Sequence, residues 1–281
     1  MRLSDFLKAH PACVLVEIVE ALGSTPREAG TVMLVAPGKI WGTIGGGQLE
    51  YMAIDNARAL LGGGGGKSTM DIPLGPEIGQ CCGGRTALSF HRMTPEIAAR
   101  LEARLRVADE ARPWIVLFGA GHVGHALARA LAPLPFAVTL VETRADALED
   151  LPAELATRLT PVPEAEVERI PPGGSALILT HDHALDFLIA QKALARTDLA
   201  YVGMIGSATK RATFFHWLAR QEENAGATET MMARLVLPVG GTLVRDKRPE
   251  VIAAMVAAEL LVAYAAREET PEPVRSRVAT G

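Results

Sequence analysis

Apolar positions follow two regimes along the chain. Up to Glu110 they come as short runs rich in β-branched residues, separated by turn residues. Val14 to Ala21 and Thr31 to Ala36 read as strands, and Pro37-Gly38 turns the chain back through Ile40 to Ile44. Gln48 to Leu61 has helical spacing, with Leu49, Met52, Ala53 and Leu60 on one face. Gly62 to Gly66 ends that helix, because a run of glycines carries too much backbone entropy for an element interior. Met70 to Leu74 and Arg85 to His91 read as two more strands flanking the loop GPEIGQCCGG. Pro95 to Glu110 reads as a charged helix that stops before Arg112-Pro113.

From Arg112 onward, apolar runs alternate with helical stripes. The strands expected are Trp114 to Phe118, Ala137 to Val141, Ser175 to Thr180, Tyr201 to Ile205 and Arg234 to Leu237. The helices expected are His122 to Leu131, Ala184 to Arg196, Ser207 to Arg220 and Pro249 to Ala265. Strand–helix alternation predicts a parallel sheet. The expected fold is therefore α/β: a small N-terminal α+β domain over residues 1–111, then a Rossmann-type parallel-sheet domain over 112–266. The charged, proline-containing tail 267–281 is expected to be flexible.

Composition narrows the function classes. Of 281 residues, 49% are hydrophobic and 21% charged, enough apolar content to bury a core. The net charge of −4 argues against a nucleic-acid partner. The apolar stretch Val251 to Ala266, interrupted by Glu259, is expected to fall short of the ~18 residues of a membrane span. Asp5, Lys8, His10 and Pro11 break any secretory h-region, so a cytoplasmic protein is expected. The three cysteines, Cys13, Cys81 and Cys82, make no disulfide framework and suit a reducing compartment.

Several motifs carry candidate chemistry. Gly119-Ala120-Gly121-His122-Val123-Gly124 follows a predicted strand and opens a predicted helix. In a dinucleotide-binding turn, Gly119 would serve the tight turn, Gly121 the approach of a phosphate and Gly124 the helix–strand packing. Glu142, at the end of the next strand, stands where an acid would hold ribose hydroxyls. The same turn also suits another phosphorylated ligand, or none. Gly66-Lys67-Ser68 resembles the end of a P-loop, but Leu61 replaces the required glycine, and an ordinary loop is the better reading. Gln80, Cys81 and Cys82 sit between glycines, where one thiolate could reach a soft metal or sulfur centre; a pair of small buried residues is the competing reading. Gly45-Gly46-Gly47 precedes a helix and suits an anion, and Arg27 suits a phosphate or carboxylate; ordinary turn chemistry explains both about as well. His181 and His183 follow an apolar strand and are read as pocket lining, with Asp182 or His183 as an alternative helix cap. Ser207 closes the turn Gly203 to Ser207, and the nearby Lys210 reads as a solvated cation.

Taken in order, these stretches resemble the xanthine dehydrogenase accessory protein family of XdhC/CoxI type. The matching segments are GSTPREAGTVMLV, GTIGGGQLEY, GQCCGG, FGAGHVG, THDHALD, GMIGS with Lys210, and DKRPEVIAAMVAAEL. The resemblance implies a chaperone that binds molybdenum cofactor (molybdopterin) as cargo, supports its sulfuration and delivers it to a xanthine-dehydrogenase-type apoenzyme. It implies an insertion factor rather than an enzyme with turnover, a cysteine-desulfurase-type sulfur donor as partner, and a homo-oligomer. It places Cys82, with Cys81 beside it, at the molybdenum end of the cargo. Leu237 stands before Pro238 where many relatives carry Cys, so no role for a thiol there is carried over. A nucleotide at the Rossmann turn stays open, and with it the alternative of an NAD(P)-dependent oxidoreductase.

Overall fold

The computed structural model describes residues 2–76, 83–152, 155–221 and 225–268. The chain divides into two compact units, Met1–Glu110 and Ala111–Gly281.

The first unit is a five-stranded antiparallel sheet in the order β3-β2-β1-β5-β4. Its strands are β1 (Val14–Leu22), β2 (Val32–Val35), β3 (Ile40–Gly42), β4 (Thr69–Pro73) and β5 (Arg85–Arg92), with helices α1 (Leu3–Ala9), α2 (Gly47–Leu61) and α3 (Pro95–Glu110). Side chains alternate across the sheet. Val14, Val16 and Ile18 join Met33, Val35, Leu88 and Phe90 beneath Leu49, Ala53 and Ala57 of α2. Leu15 and Leu34 point the other way, onto Phe6 of α1 and Leu101 of α3. Burial on both faces explains why β1 begins as an unbroken apolar run. A bulge at Val19 shifts the register between Ile18 and Glu20. Extra residues of this kind twist a strand and re-aim the side chains beyond them.

The second unit is an all-parallel six-stranded sheet in the order β11-β10-β9-β6-β7-β8. It consists of β6 (Trp114–Phe118), α4 (His122–Leu131), β7 (Ala137–Glu142), β8 (Ala156–Leu159), β9 (Ser175–Ile178), α5 (His183–Ala195), β10 (Tyr201–Met204), α6 (Ala208–Gln221), α7 (Ala225–Arg234), β11 (Leu235–Val236) and α8 (Pro249–Glu268). This is the doubly wound Rossmann order, with β6 as first strand and the direction of winding reversing between β6 and β9. Ile115 and Leu117 face α4 and α8. Val116 and Phe118 face the layer that contains Phe187, Phe214 and Met232.

Several elements differ from the pattern-based expectation, among them the short helix α1 and the helix α7, neither of which the pattern marked. β8 is exposed at every position and so shows no alternation. Arg234 ends α7 rather than opening a strand, leaving β11 with two residues. Residues 267 and 268 end α8 rather than opening a tail, and the rest of the expected tail lies outside the described residues.

Helix α8 corrects the estimate of apolar length. Residues Pro249–Arg267 form 19 helical residues of mean hydropathy 1.6, long and apolar enough by length and composition to cross a membrane. In the fold, Ala253, Val256, Ala257 and Leu260 pack into one core with Leu127 and Leu131 of α4. Glu259 accepts the Gly240 N–H at 2.6 Å, and the Tyr264 hydroxyl donates to the Gly173 carbonyl at 3.0 Å. One face is thus core, while Val262 on the other is 70% exposed. Leu260→Ala is expected to destabilise by about 2–5 kcal/mol, and Val262→Asp by no more than about 0.5 kcal/mol. Urea unfolding of the two variants checks this.

Candidate cofactor-binding site

Chain geometry dictates the turn after β6. Gly119 has φ +111°, and a Cβ there would lie 2.8 Å from the Leu179 carbonyl group. This close approach lets β6 and β9 end side by side. A Cβ on Gly124 would overlap the Gly119 oxygen, so α4 can seat on the turn only with glycine there. Gly121 is different: nothing lies within 4 Å of the position its Cβ would take. Its lack of a side chain serves no contact within the protein.

Glu142 is at the expected place, but its carboxylate is already engaged. One oxygen accepts the Ala120 N–H at 2.8 Å. The other accepts the Thr143 N–H at 2.8 Å, the Thr143 hydroxyl at 3.0 Å and the Arg144 N–H at 3.2 Å. The Arg144 guanidinium adds contacts at 3.3 and 3.4 Å. The residue is 5% exposed. Burial pushes its pKa up, but the bonds from Arg144, the Ala120 N–H and Thr143 outweigh this and hold it at about 2. The carboxylate therefore braces the glycine turn rather than presenting a free acceptor to a ribose.

Beside the turn lies a cleft of about 500 Å³, lined by Gly121, His122, Ala126 and Arg144 among others. Two side chains of α4 pin its far wall. His125 Nε2 bonds the Ala147 carbonyl at 2.8 Å, and Arg129 donates to the Asp150 carbonyl at 2.9 Å.

The ends of β9 and β10 form a second group. Asp182 caps α5, its carboxylate accepting the Ala184 N–H at 2.8 Å. His181 lines a narrow crevice with Gly119, Thr143 and Thr180. His183 is exposed on the first turn of α5, and the Ser207 hydroxyl accepts the Lys210 N–H at 3.4 Å at the start of α6. Lys210 is not a solvated cation. Its side chain is 9% exposed and paired with the fully buried Asp186, and its ammonium also donates to the Ile205 carbonyl at 3.0 Å. Asp186 in turn accepts the Thr180 N–H at 3.1 Å and its hydroxyl at 2.7 Å. The pair thus ties the two strand ends together. Its partners are 24 residues apart, too far for any local pattern to show.

In the first unit the motifs converge at one end of the sheet. Gly45, at φ +126°, presses on Pro26: a Cβ there would lie 2.6 Å from that ring. A Cβ on Gly84 would overlap the Ser24 carbonyl oxygen. The loop carrying Gly23 to Arg27 therefore touches both the Gly45-Gly46-Gly47 turn and the base of the β4–β5 hairpin. That base is closed by Gly83 N–H to the Leu74 carbonyl at 2.9 Å and Leu74 N–H to the Gly84 carbonyl at 2.8 Å. Gln80, Cys81 and Cys82, in the hairpin loop, lie outside the described residues. Arg27 is exposed. The glycine turn meets a carboxylate from its own helix: Glu50 accepts the Ile44 and Gly46 N–H groups at 3.1 Å each, and the Thr43 hydroxyl. Glu50, four residues after Gly46, is the side chain at this turn that the motif reading missed. Cys13 is buried, which pushes its thiol pKa up and marks it as structural. Among the described residues, no cluster of three His, Cys, Asp or Glu is placed to hold a metal ion.

These features define an α/β protein of two units whose second unit is a Rossmann domain. Residues 115–260 match the XdhC Rossmann domain, and residues 6–72 match the XdhC and CoxI family. The chain belongs to the XdhC and CoxI family. It is 31% identical over 267 residues to the uncharacterized protein YqeB of Escherichia coli (strain K12). That match covers 88% of this chain but 42% of YqeB, so the chain spans less than half of that relative. A crystal structure of a xanthine dehydrogenase from Bacillus halodurans shares the fold, with a TM-score of 0.77 at 17% identity, covering 97% of this chain and 98% of that one.

The three turn glycines should separate cleanly. Gly119→Ala and Gly124→Ala should each destabilise by about 1–3 kcal/mol through overpacking, whereas Gly121→Ala should stay within about 0.5 kcal/mol of the parent, as read by thermal unfolding. Glu142 adds a pH dependence. Its folded pKa lies below the ordinary value of 4.5, so its stabilisation is complete above that pH and is lost as pH falls toward about 2. Glu142→Gln should flatten the fall in unfolding free energy across that window, measured by urea titration at stepped pH.

Proposed function

We propose that the chain is a chaperone that binds molybdenum cofactor as cargo, supports its sulfuration and delivers it to a xanthine-dehydrogenase-type apoenzyme. Family membership across both units supports a role in xanthine dehydrogenase maturation. The observation that carries the finer reading is the convergence of the Gly23–Arg27 loop, the Gly45–Gly47 turn and the base of the Cys82 hairpin. A thiolate suits the soft dithiolene–metal end of such a cargo. An exposed guanidinium suits its phosphate. In this reading the protein acts in the cytoplasm without turnover of its own, as a homo-oligomer, and receives sulfur from a cysteine-desulfurase-type donor. Cys82, with Cys81 and Gln80, contacts the molybdenum end. The alternative of an NAD(P)-dependent oxidoreductase is disfavoured, because the acid that would hold the ribose already braces its own turn.

The test is anaerobic incubation of purified protein with molybdenum cofactor, followed by gel filtration and assay of bound pterin. The parent should retain pterin. Cys82→Ala should stay folded, retain at least tenfold less, and fail to activate a partner apoenzyme. Cys13→Ala should keep its cargo and lose about 1 kcal/mol of stability. A parent that retains no pterin overturns the chaperone reading, and a Cys82→Ala protein that retains as much as the parent removes the thiol from the contact.

A further inference from the structure

Helix α8 is apolar on both sides, although only one side is core. Ala253, Val256, Ala257 and Leu260 pack inward. On the outer side Val251, Ala254, Ala258, Leu261, Val262 and Ala265 recur at spacings that make one stripe. Val251 is half-buried and the other five are exposed, Val262 most of all. Between Glu250 and Arg267 the helix has one charged residue, Glu259, and that one is turned onto the Gly240 N–H. A helix apolar all round is ordinarily covered all round. We propose that a second copy of this chain covers the stripe, docked α8 against α8 in antiparallel sense about a two-fold axis at Ala258. The proposal rests on the homo-oligomer of the proposed function and names the surface that forms it.

The stripe complements itself in that arrangement. A two-fold contact brings the same patch of both copies together. About Ala258 the small residue crosses itself, so the helices can approach closely. Val251 then faces Ala265 of the other copy, and Ala254 faces Val262, a large side chain against a small one each time. Charge favours the antiparallel sense. It opposes the two helix dipoles and sets the end of one helix with the exposed Glu250 beside the end of the other with the exposed Arg267. A parallel pair would set Glu250 against Glu250.

The loop ahead of α8 extends the surface. Leu243 is 94% exposed and Val244 45% exposed, and both lie just before the helix begins. In an antiparallel pair they stand beside the last turns of the other copy. The stripe from Val251 to Ala265 is about 21 Å long. With the two loop residues it offers on the order of 500 Å² per copy, the lower edge of a specific contact, so association in the micromolar range is expected. Other occupants fit less well. Residues 269–281 have only Val274 and Val278 as large apolar side chains, too few to cover the stripe. The six stripe residues include no aromatic of the kind that anchors a helix at a membrane interface.

Sedimentation of the full chain from about 1 to 200 µM tests the proposal. The mass should rise from 29.8 kDa toward twice that value. Ala258→Glu and Val262→Asp should each weaken association at least tenfold with an unchanged circular dichroism spectrum. Leu188→Asp, at an exposed position of α5, should leave association unchanged. Mild oxidation reads the sense of the pair against the parent's own cysteines as background. Ala258→Cys should cross-link to itself. Ala265→Cys should not, because its two copies stand about 21 Å apart, but it should cross-link to Val251→Cys. A parent that stays at 29.8 kDa throughout overturns the proposal. So does a dimer that survives both substitutions, or self-cross-linking of Ala265→Cys as ready as that of Ala258→Cys. Cosedimentation of the parent with phosphatidylcholine–phosphatidylserine vesicles, lost in Val262→Asp, would assign the stripe to a membrane and also overturn it. Pterin retention is measured separately: a parent that dimerises through α8 and retains no pterin overturns the cargo reading alone, and a monomeric parent that retains pterin overturns the dimer alone.

Discussion

Backbone N–H groups at a glycine turn need acceptors, and in both units a glutamate provides one. Glu142 accepts from Ala120 and Thr143 at the end of β6 and β7, and Glu50 accepts from Ile44 and Gly46 at the start of α2. A buried, unsatisfied N–H costs about 1–3 kcal/mol, so these carboxylates set which turn conformations the chain can hold. They also decide what remains for a ligand. At Gly46 the internal carboxylate takes the place an external anion would fill. At Gly121 the bracing comes from behind the turn and leaves the outer side open.

The Asp186–Lys210 pair plays the matching part at β9 and β10. An ion pair buried this deeply contributes little net stability against an apolar replacement. Its geometry nevertheless fixes the Thr180 N–H and the Ile205 carbonyl relative to each other. With Gly119 pressed against Leu179, the ends of three adjacent strands become one rigid edge. His181 stands on that edge at the reversal point of the sheet, where doubly wound folds bind their ligands. The charged cleft and the histidine crevice are thus two faces of one rigid frame in the second unit.

Much of the fold was legible because its signals are local. The strand Trp114–Phe118 and the helices His122–Leu131 and Pro95–Glu110 have the bounds that the apolar pattern and its punctuation predict. β8 escaped notice because an exposed edge strand has no buried face to impose a period of two. α1 is seven residues long, and a helix so short is stabilised by tertiary packing, here of Phe6, rather than by propensity. Among the candidate site residues, the glycines and Glu142 were found by motif, and the convergence of the Gly23–Arg27 loop with Gly45 and Gly84 was not.

The sequence by itself determined the two-unit α/β architecture, the turn after β6 and the kinds of side chain available to each site. Those properties depend on residues within a few positions of one another, through helical or strand periodicity and the steric freedom of glycine. Tertiary structure alone decided which of those side chains remain available. Lys210 looked solvated until folding brought Asp186 against it, and Glu142 looked like a ribose acceptor until the β6 turn brought Ala120 within 2.8 Å. A charged or polar group is assigned its role by whichever partner satisfies it first, and those partners come from segments that only the folded chain makes neighbours.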